Sequence, residues 1–279
     1  MTIATLSEVL EPAKKNNYAV AGLVVLGWED ARCYAEAAEE LGLPVILQAG
    51  PGCRENTPIP ILGKMFRYLA EQSSSPVVCH IDHGYSLEEC QMGIDNGFTS
   101  IMYDGSKLEL NENIERTARI VELGHKAGIS VEGEIGFVGY NEGKKSLKTN
   151  PNEAKKFADE THCDAMAISV GNTHLQVDKN TNVDIQDILA VQNLTDTALV
   201  LHGSSGIEAS LRAKIAKETN VCKFNIGTEL RKTFGDSLRL SMKKNPNIYD
   251  KIQLLSLTTS DIKKATKKVL ENLSDRKSV

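Results

Sequence analysis

Residues 76–104 read PVVCHIDHGYSLEECQMGIDNGFTSIMYD. The stretch opens on an almost wholly apolar run, Pro76 to Asp82, which turns polar only at its end. Next, in SLEECQMGIDNG, apolar positions recur at spacings of three and four before a glycine closes the segment, the pattern of an amphipathic helix with a glycine stop. A second β-rich run, Ser100 to Asp104, follows at once. Strands apolar on both faces belong in a buried parallel sheet, so this is one strand–helix–strand unit.

The same rhythm extends in both directions. Eight β-rich runs are predicted: Tyr18 to Val25, Pro44 to Ala49, Pro76 to Asp82, Ser100 to Asp104, Ser130 to Ile135, Ala165 to Val170, Ala198 to His202 and Val221 to Ile226. Helical segments such as EDARCYAEAAEELG and NENIERTARIVELGHKAG lie between them. An open dinucleotide-binding sheet would show a glycine-rich fingerprint after its first strand, but LGWED follows Val25. The prediction is an α/β chain folded as one (β/α)8 barrel over residues 1–279, with a linker and a capped C-terminal helix forming an extension from about residue 241 to 279.

Bulk properties agree. The 279 residues are 41% hydrophobic and 25% charged, values of an ordered globular chain. A net charge of −5 offers no broad basic field for nucleic acid or an anionic membrane, so an anionic ligand must be held locally. The N-terminus MTIATLSEVLEPAKK lacks a signal-peptide core and no run reaches spanning length, which predicts a cytoplasmic protein. Six cysteines without CxxC spacing are expected to be reduced and buried.

In a barrel, the C-terminal strand ends share one face. Three of six histidines, His83, His174 and His202, fall at or just past such ends, and three imidazoles with one open position make a catalytic zinc site. His80, inside a strand, reads as a hydrogen-bonded core residue, while His125 and His162 are expected to face solvent. Asp82 beside His83 is a candidate for proton exchange with a substrate oxygen, its alternative being to orient a ligating histidine. Glu132 and Glu134 are expected to split, one inward and one outward, with Asp104 in the same layer. HGSSG after strand seven and NIGT after strand eight occupy the usual barrel phosphate site. Residues 136–151, rich in glycine, lysine and asparagine, form the candidate loop over that mouth, or else an ordinary solvated connection.

At HIDHGYSLEEC, GFTSIMYDGS, NENIERT, VEGEIG, GNTHL, LVLHGSSGI and KFNIGTEL, the sequence resembles the class II, metal-dependent fructose-bisphosphate and tagatose-bisphosphate aldolases over nearly the whole chain. The resemblance implies Zn2+, or another divalent metal, on His83, His174 and His202, together with a monovalent cation. It further implies Asp82 as the acid–base group at the aldehyde-derived oxygen, and Glu142 as the carboxylate serving the donor carbon. Asp104 and Glu132 match an alternative metal position. Gly203, Ser204, Ser205, Asn225, Thr228, Leu175 and Gln48 are the implied phosphate and substrate contacts. The implied reaction passes through a dihydroxyacetone phosphate enediolate, with no Schiff-base role for Lys223. A homodimer or homotetramer acting on a phosphorylated sugar is expected.

Departures from the family pattern cluster on one side. Gly22, Leu23, Val24 and Gly27 stand where Ala-Phe-Asn and a further Asn are usual, so a polar wall becomes apolar; Gln48 is followed by Ala49, Gly50, Pro51 and Gly52, and Leu175 replaces a glycine. Metal and donor-phosphate residues are spared, so an aldehyde acceptor other than glyceraldehyde 3-phosphate is expected, including a non-phosphorylated one. Two other readings share the barrel: a non-catalytic sugar-phosphate-binding protein, and a metal-dependent isomerase or hydrolase.

Overall fold

The computed structural model describes residues 2–139, 146–175 and 183–274. In chain order the elements are β1 (Ile3–Ala4), α1 (Leu6–Lys15), β2 (Val20–Val24), α2 (Trp28–Leu41), β3 (Val45–Ala49), α3 (Pro51–Asn56), α4 (Ile59–Gln72), β4 (Val77–Gly84) and α5 (Leu87–Asp95). They continue with β5 (Ser100–Tyr103), α6 (Leu110–Lys126), β6 (Ser130–Ile135), α7 (Pro151–Thr161), β7 (Ala165–Ile168), α8 (Ile185–Gln192) and β8 (Ala198–Leu201). After a 3₁₀ turn at Ser204–Gly206 come α9 (Ala209–Glu218), β9 (Val221–Ile226), α10 (Thr228–Lys244), α11 (Lys251–Ser256) and α12 (Thr259–Leu273).

Strands β2 to β9 pair in parallel, each with the next, and β9 pairs back onto β2 to close a (β/α)8 barrel. Seven of the eight predicted runs contain one barrel strand each, while β4 overruns the predicted end at Asp82 and reaches Gly84. Two cores result: one between strands and outer helices, the other inside the barrel floor.

The N-terminal elements were not anticipated from sequence. The β4–β5 ladder starts only at His80 opposite Ser100, and β1 occupies the space below it, pairing Ile3 with Val77 and Ala4 with Val78. A Thr5–Glu8 capping box then starts α1, whose Leu6, Val9, Leu10 and Ala13 are buried against Ile46, Val78, Ala167 and Val200 inside the barrel. This helix covers the barrel end opposite the strand C-termini.

The C-terminal segment differs from the predicted linker and capped helix. α10 runs through to Lys244, α11 occupies part of the linker, and Thr258, at the N-cap of α12, gives no side-chain cap because its hydroxyl donates to Leu255 O instead. α12 packs on α2, burying Ile262, Val269, Leu270 and Leu273. Its end is tied to the start of the barrel by Ala19 N–H donating to Leu273 O at 3.0 Å. No helix among the described residues is long and apolar enough to cross a membrane.

Candidate functional site

The site begins with an irregularity in β4. Val77, Cys79 and Ile81 face the outer core, while His80 and Asp82 turn inward, as period-two alternation requires. His83 should then point outward. It does not, because β4 bulges: Ile81 pairs with Ile101 and Gly84 with Tyr103, leaving Asp82 and His83 together opposite Met102. His83 adopts φ 55°, a left-handed conformation that costs an L-residue about 1–2 kcal/mol. The bulge lets two consecutive side chains serve the same mouth.

His83 meets His202, one residue past β8, and His174, in the loop after β7. Ring centroids lie 4.7 Å apart for His83–His202, 5.2 Å for His83–His174 and 5.6 Å for His174–His202. One nitrogen from each ring falls within 4.8 Å of the others. Two rings are oriented from behind: His83 Nδ1 contacts Asp104 Oδ2 at 2.9 Å, and His202 Nε2 contacts Glu132 Oε1 at 3.0 Å. Ionised carboxylates only accept, so these pairings assign the protons to Nδ1 of His83 and Nε2 of His202. The opposite nitrogens, His83 Nε2 and His202 Nδ1, face each other at 3.1 Å.

Two imidazole lone pairs so close need a cation between them. Tetrahedral zinc with Zn–N bonds near 2.0–2.1 Å separates its ligand nitrogens by about 3.3 Å, so the donor set fits such an ion. Without a metal, a proton takes that role. Burial alone would depress the His83 pKa, but Asp82, the hydrogen bond from Asp104 and nearby Glu134 outweigh it and hold the imidazole up at about 9. Burial and the His83 charge push His174 and His202 well below the ordinary value.

Glu132 and Glu134 both face inward, correcting the expected split, because residues two apart on a strand share a face. Between them, Gly133 turns outward, and a Cβ there would lie 2.8 Å from the Phe157 ring. Glu132 also accepts from Lys223 Nζ at 2.6 Å, and Lys223 Nζ lies 3.3 Å from His80 Nε2. His80 Nδ1 contacts Ser100 Oγ at 2.9 Å, so His80 is a satisfied core residue and Lys223 is fully buried in this chain of contacts. Glu134, rather than Glu132, joins His83 and Asp104 as a second group able to hold a metal. Its Oε2 is buried without a hydrogen-bond partner, and burial together with Asp104 raises its pKa well above the usual range.

Asp82 Oδ1 accepts from Asn225 Nδ2 at 3.0 Å. Burial opposes ionisation of Asp82, but nearby positive charge, His83 first and Lys223 beyond it, prevails and holds its pKa below the usual value. Asn225 Oδ1 and both amide atoms of Gln48 are buried without hydrogen-bond partners. Gly22 makes the space they occupy, since a Cβ there would sit 1.6 Å from Gln48 Oε1.

These groups surround a cavity of about 280 Å3. Asp82, His83 and His174 line one side, and Gly203, Ser205, Asn225 and Thr228 line another. Ser205 Oγ accepts from Gly227 N–H at 3.3 Å and Glu229 N–H at 3.2 Å, tying the loop to the start of α10. Ser204 does not contribute, because its hydroxyl turns away to Leu201 O at 2.7 Å; Gln48 likewise lies outside the lining. The remaining wall is Val24, Gly50, Pro51, Gly52, Cys53 and Leu175, with Arg231 supplying its cation. Leu175 has φ 56°, so the position where the family pattern has glycine keeps a left-handed backbone while carrying a side chain. Glu142 lies outside the described residues. A larger groove of about 630 Å3, between α9, α10 and α12, contains none of the histidines.

Sequence reasoning overlooked Arg231 and Arg54. The signal for Arg54 is a single arginine in the small-residue run after β3; Arg231 lies one helical turn into α10, beyond the strand-end motif.

A (β/α)8 barrel with convergent imidazoles and carboxylates at its strand C-termini is the architecture of a metal-assisted enzyme. The profile of the family Fructose-bisphosphate aldolase class-II matches residues 4–277, and this chain belongs to that family. It is 32% identical over 257 residues to the fructose-bisphosphate aldolase of Geobacillus stearothermophilus, covering 90% of this chain and 89% of the relative. It is equally 32% identical over 260 residues to the 6-phospho-5-dehydro-2-deoxy-D-gluconate aldolase of Bacillus subtilis (strain 168), covering 90% and 88%. The crystal structure of the YdjI aldolase from Escherichia coli K12 superposes with a TM-score of 0.83 at 28% identity, covering 97% of each chain. The protein is an enzyme of the lyase class.

Proposed function

We propose that this protein is a divalent-metal-dependent aldolase that cleaves or forms a ketose 1-phosphate or bisphosphate, with an aldehyde half other than glyceraldehyde 3-phosphate. The observation that carries the reading is the meeting of three imidazoles, Asp82 and the Gly203–Ser205 loop around one cavity. His83, His174 and His202 would hold the ion, with Asp104 and Glu132 fixing two of the rings. A divalent ion such as zinc supplies Lewis-acid polarisation of the ketone carbonyl when bound.

The chain's own residues account for the rest. Gly203, Ser205 and Thr228 hold the donor phosphate at the start of α10, where the positive end of the helix dipole favours an anion. Asp82, ionised and oriented by Asn225, takes the proton from the hydroxyl that becomes the aldehyde oxygen and returns it in the synthetic direction. Glu142 serves the proton at the donor carbon. The acceptor half lies against Val24, Gly50, Gly52 and Leu175, a wall poor in hydrogen-bonding side chains, with Arg231 available to an anionic substituent. Self-association as a homodimer or homotetramer in the cytoplasm belongs to the same reading. Exposed Met242, Tyr249 and Ile252 around α11 supply apolar surface for it.

The test is a coupled assay for dihydroxyacetone phosphate released from fructose and tagatose 1,6-bisphosphates and a panel of ketose 1-phosphates, with and without chelator, and with His202→Ala as control. The expected result is chelator-sensitive release, absent from the variant, with fructose 1,6-bisphosphate not the best substrate. A clear preference for that bisphosphate would overturn the acceptor assignment, and no release from any member of the panel would overturn the aldolase reading.

A further inference from the structure

The segment after β3 is one of those that depart from the family pattern, and it holds a guanidinium aimed at the β4 bulge. PGCREN forms the short helix α3, and from it the side chain of Arg54, 5% exposed, reaches back beneath the mouth. Its Nη1 donates to Asp82 O at 2.6 Å and to Ala49 O, and its Nη2 donates to His83 O at 2.8 Å. Its Nε donates to Glu89 Oε1 at 2.8 Å. Glu89 closes the circle, its other oxygen accepting the Tyr85 N–H at 2.9 Å just beyond the bulge. One planar fork therefore engages the carbonyls of both residues whose side chains serve the site, at the place where the β4–β5 ladder skips them.

We propose that Arg54 is a positioning residue for this enzyme: clamping the Asp82 and His83 carbonyls, it holds the left-handed backbone that turns both side chains into the mouth. The strand left to itself would alternate, sending His83 outward when Asp82 points inward. Glu89 aligns the guanidinium edge-on to the bulge. Arginine suits the task because its five donors lie in a fixed fork, whereas a lysine ammonium on a flexible stem reaches fewer of the three carbonyls in one geometry. The clamp comes from the same short segment that supplies Gly50 and Gly52 to the acceptor wall, so residues on the aldehyde side also set the catalytic edge.

The inference rests on the metal-site reading for its consequence but not for its geometry, and the experiment separates the two. Wild type, Arg54→Lys and Arg54→Ala are labelled with 15N-histidine, and the metal-free imidazole spectra are recorded beside far-ultraviolet circular dichroism. Zinc affinity of each is then measured by chelator competition. The wild type is expected to show a His83 Nδ1 proton protected by Asp104. That signal should weaken in Arg54→Lys and vanish in Arg54→Ala, and zinc affinity should fall about 10–100-fold in the alanine variant, with a smaller loss in lysine. If Arg54→Ala does not fold, the Arg54→Lys spectrum and affinity decide. Unchanged imidazole signals and unchanged zinc affinity in the folded variants would overturn the clamp. A wild type that binds no zinc, while the His83 signal still depends on Arg54, would overturn the metal reading and leave the clamp standing.

Discussion

At the residue scale, the site is a set of carboxylate–imidazole pairs whose protons are assigned by the carboxylate each ring faces. His83 is held protonated up to about pH 9, whereas a metal requires its Nε2 bare. Zinc uptake at pH 7.5 is therefore expected to release close to one proton. Affinity should climb roughly tenfold per pH unit as pH rises toward about 9, then level off. Proton release read with an indicator in weak buffer checks this, and uptake without release would refute the assignment. For the metal-free protein the sign follows from the raised folded-state pKa: the contribution of His83 to stability is complete below about 6.5 and is lost as pH rises through 9. The raised Glu134 pKa acts in the same direction. Glu132→Gln removes the anion between Lys223 and His202, leaving a buried amine without its partner. A loss of about 3–5 kcal/mol by urea denaturation is expected. The histidines were legible as strand-end residues, but which carboxylate stands behind which ring was not. Four inward carboxylates converge on these rings, and only the stagger of neighbouring strands sorts them.

At the scale of elements, the loop after β8 and the start of α10 form one unit through Ser205. Gly203 is its hinge, with φ 64° and a position where a Cβ would lie 2.2 Å from Thr173 O and 3.1 Å from His174 N. Neither neighbour is a flexible side-chain tip, so the backbone carrying His174 would have to move. Gly203→Ala is expected to cost at least about 1 kcal/mol of stability and to weaken competitive inhibition by dihydroxyacetone phosphate more than tenfold. Inhibition constants beside a urea curve test both parts, and a stable variant with unchanged inhibition would contradict this role. The glycine-rich pattern identified the loop, yet it could not foresee that Ser204 turns back to Leu201 O while Ser205 joins α10, since the hydroxyl of either could cap. β1 escaped notice because two residues carry no period, and α1 because a short amphipathic start resembles an ordinary surface helix until a barrel floor stands above it.

For the whole molecule, closure of the outer layer depends on α12. Its Ile262, Val269, Leu270 and Leu273 are buried, and at roughly 1.5–3 kcal/mol per side chain they contribute on the order of 6–12 kcal/mol. That is comparable to the entire net stability of a typical domain, about 5–15 kcal/mol. A chain ending before Thr259 is therefore expected to lose its cooperative thermal transition, as followed by near-ultraviolet circular dichroism. A truncated protein that still melts sharply within a few degrees of the full chain would show the helix to be an appendage.

The sequence by itself determined the eightfold strand–helix rhythm and the polar residues waiting at the strand ends. Periodicity is a local property, and parallel strands announce their burial in composition. What only the tertiary structure decided is how those ends meet: the bulge that brings Asp82 and His83 to one mouth, the shared face of Glu132 and Glu134, and the reach of Arg54 to two carbonyls from another strand's loop. Each depends on the stagger between neighbouring strands of a closed barrel, a long-range quantity that no single segment of the chain encodes.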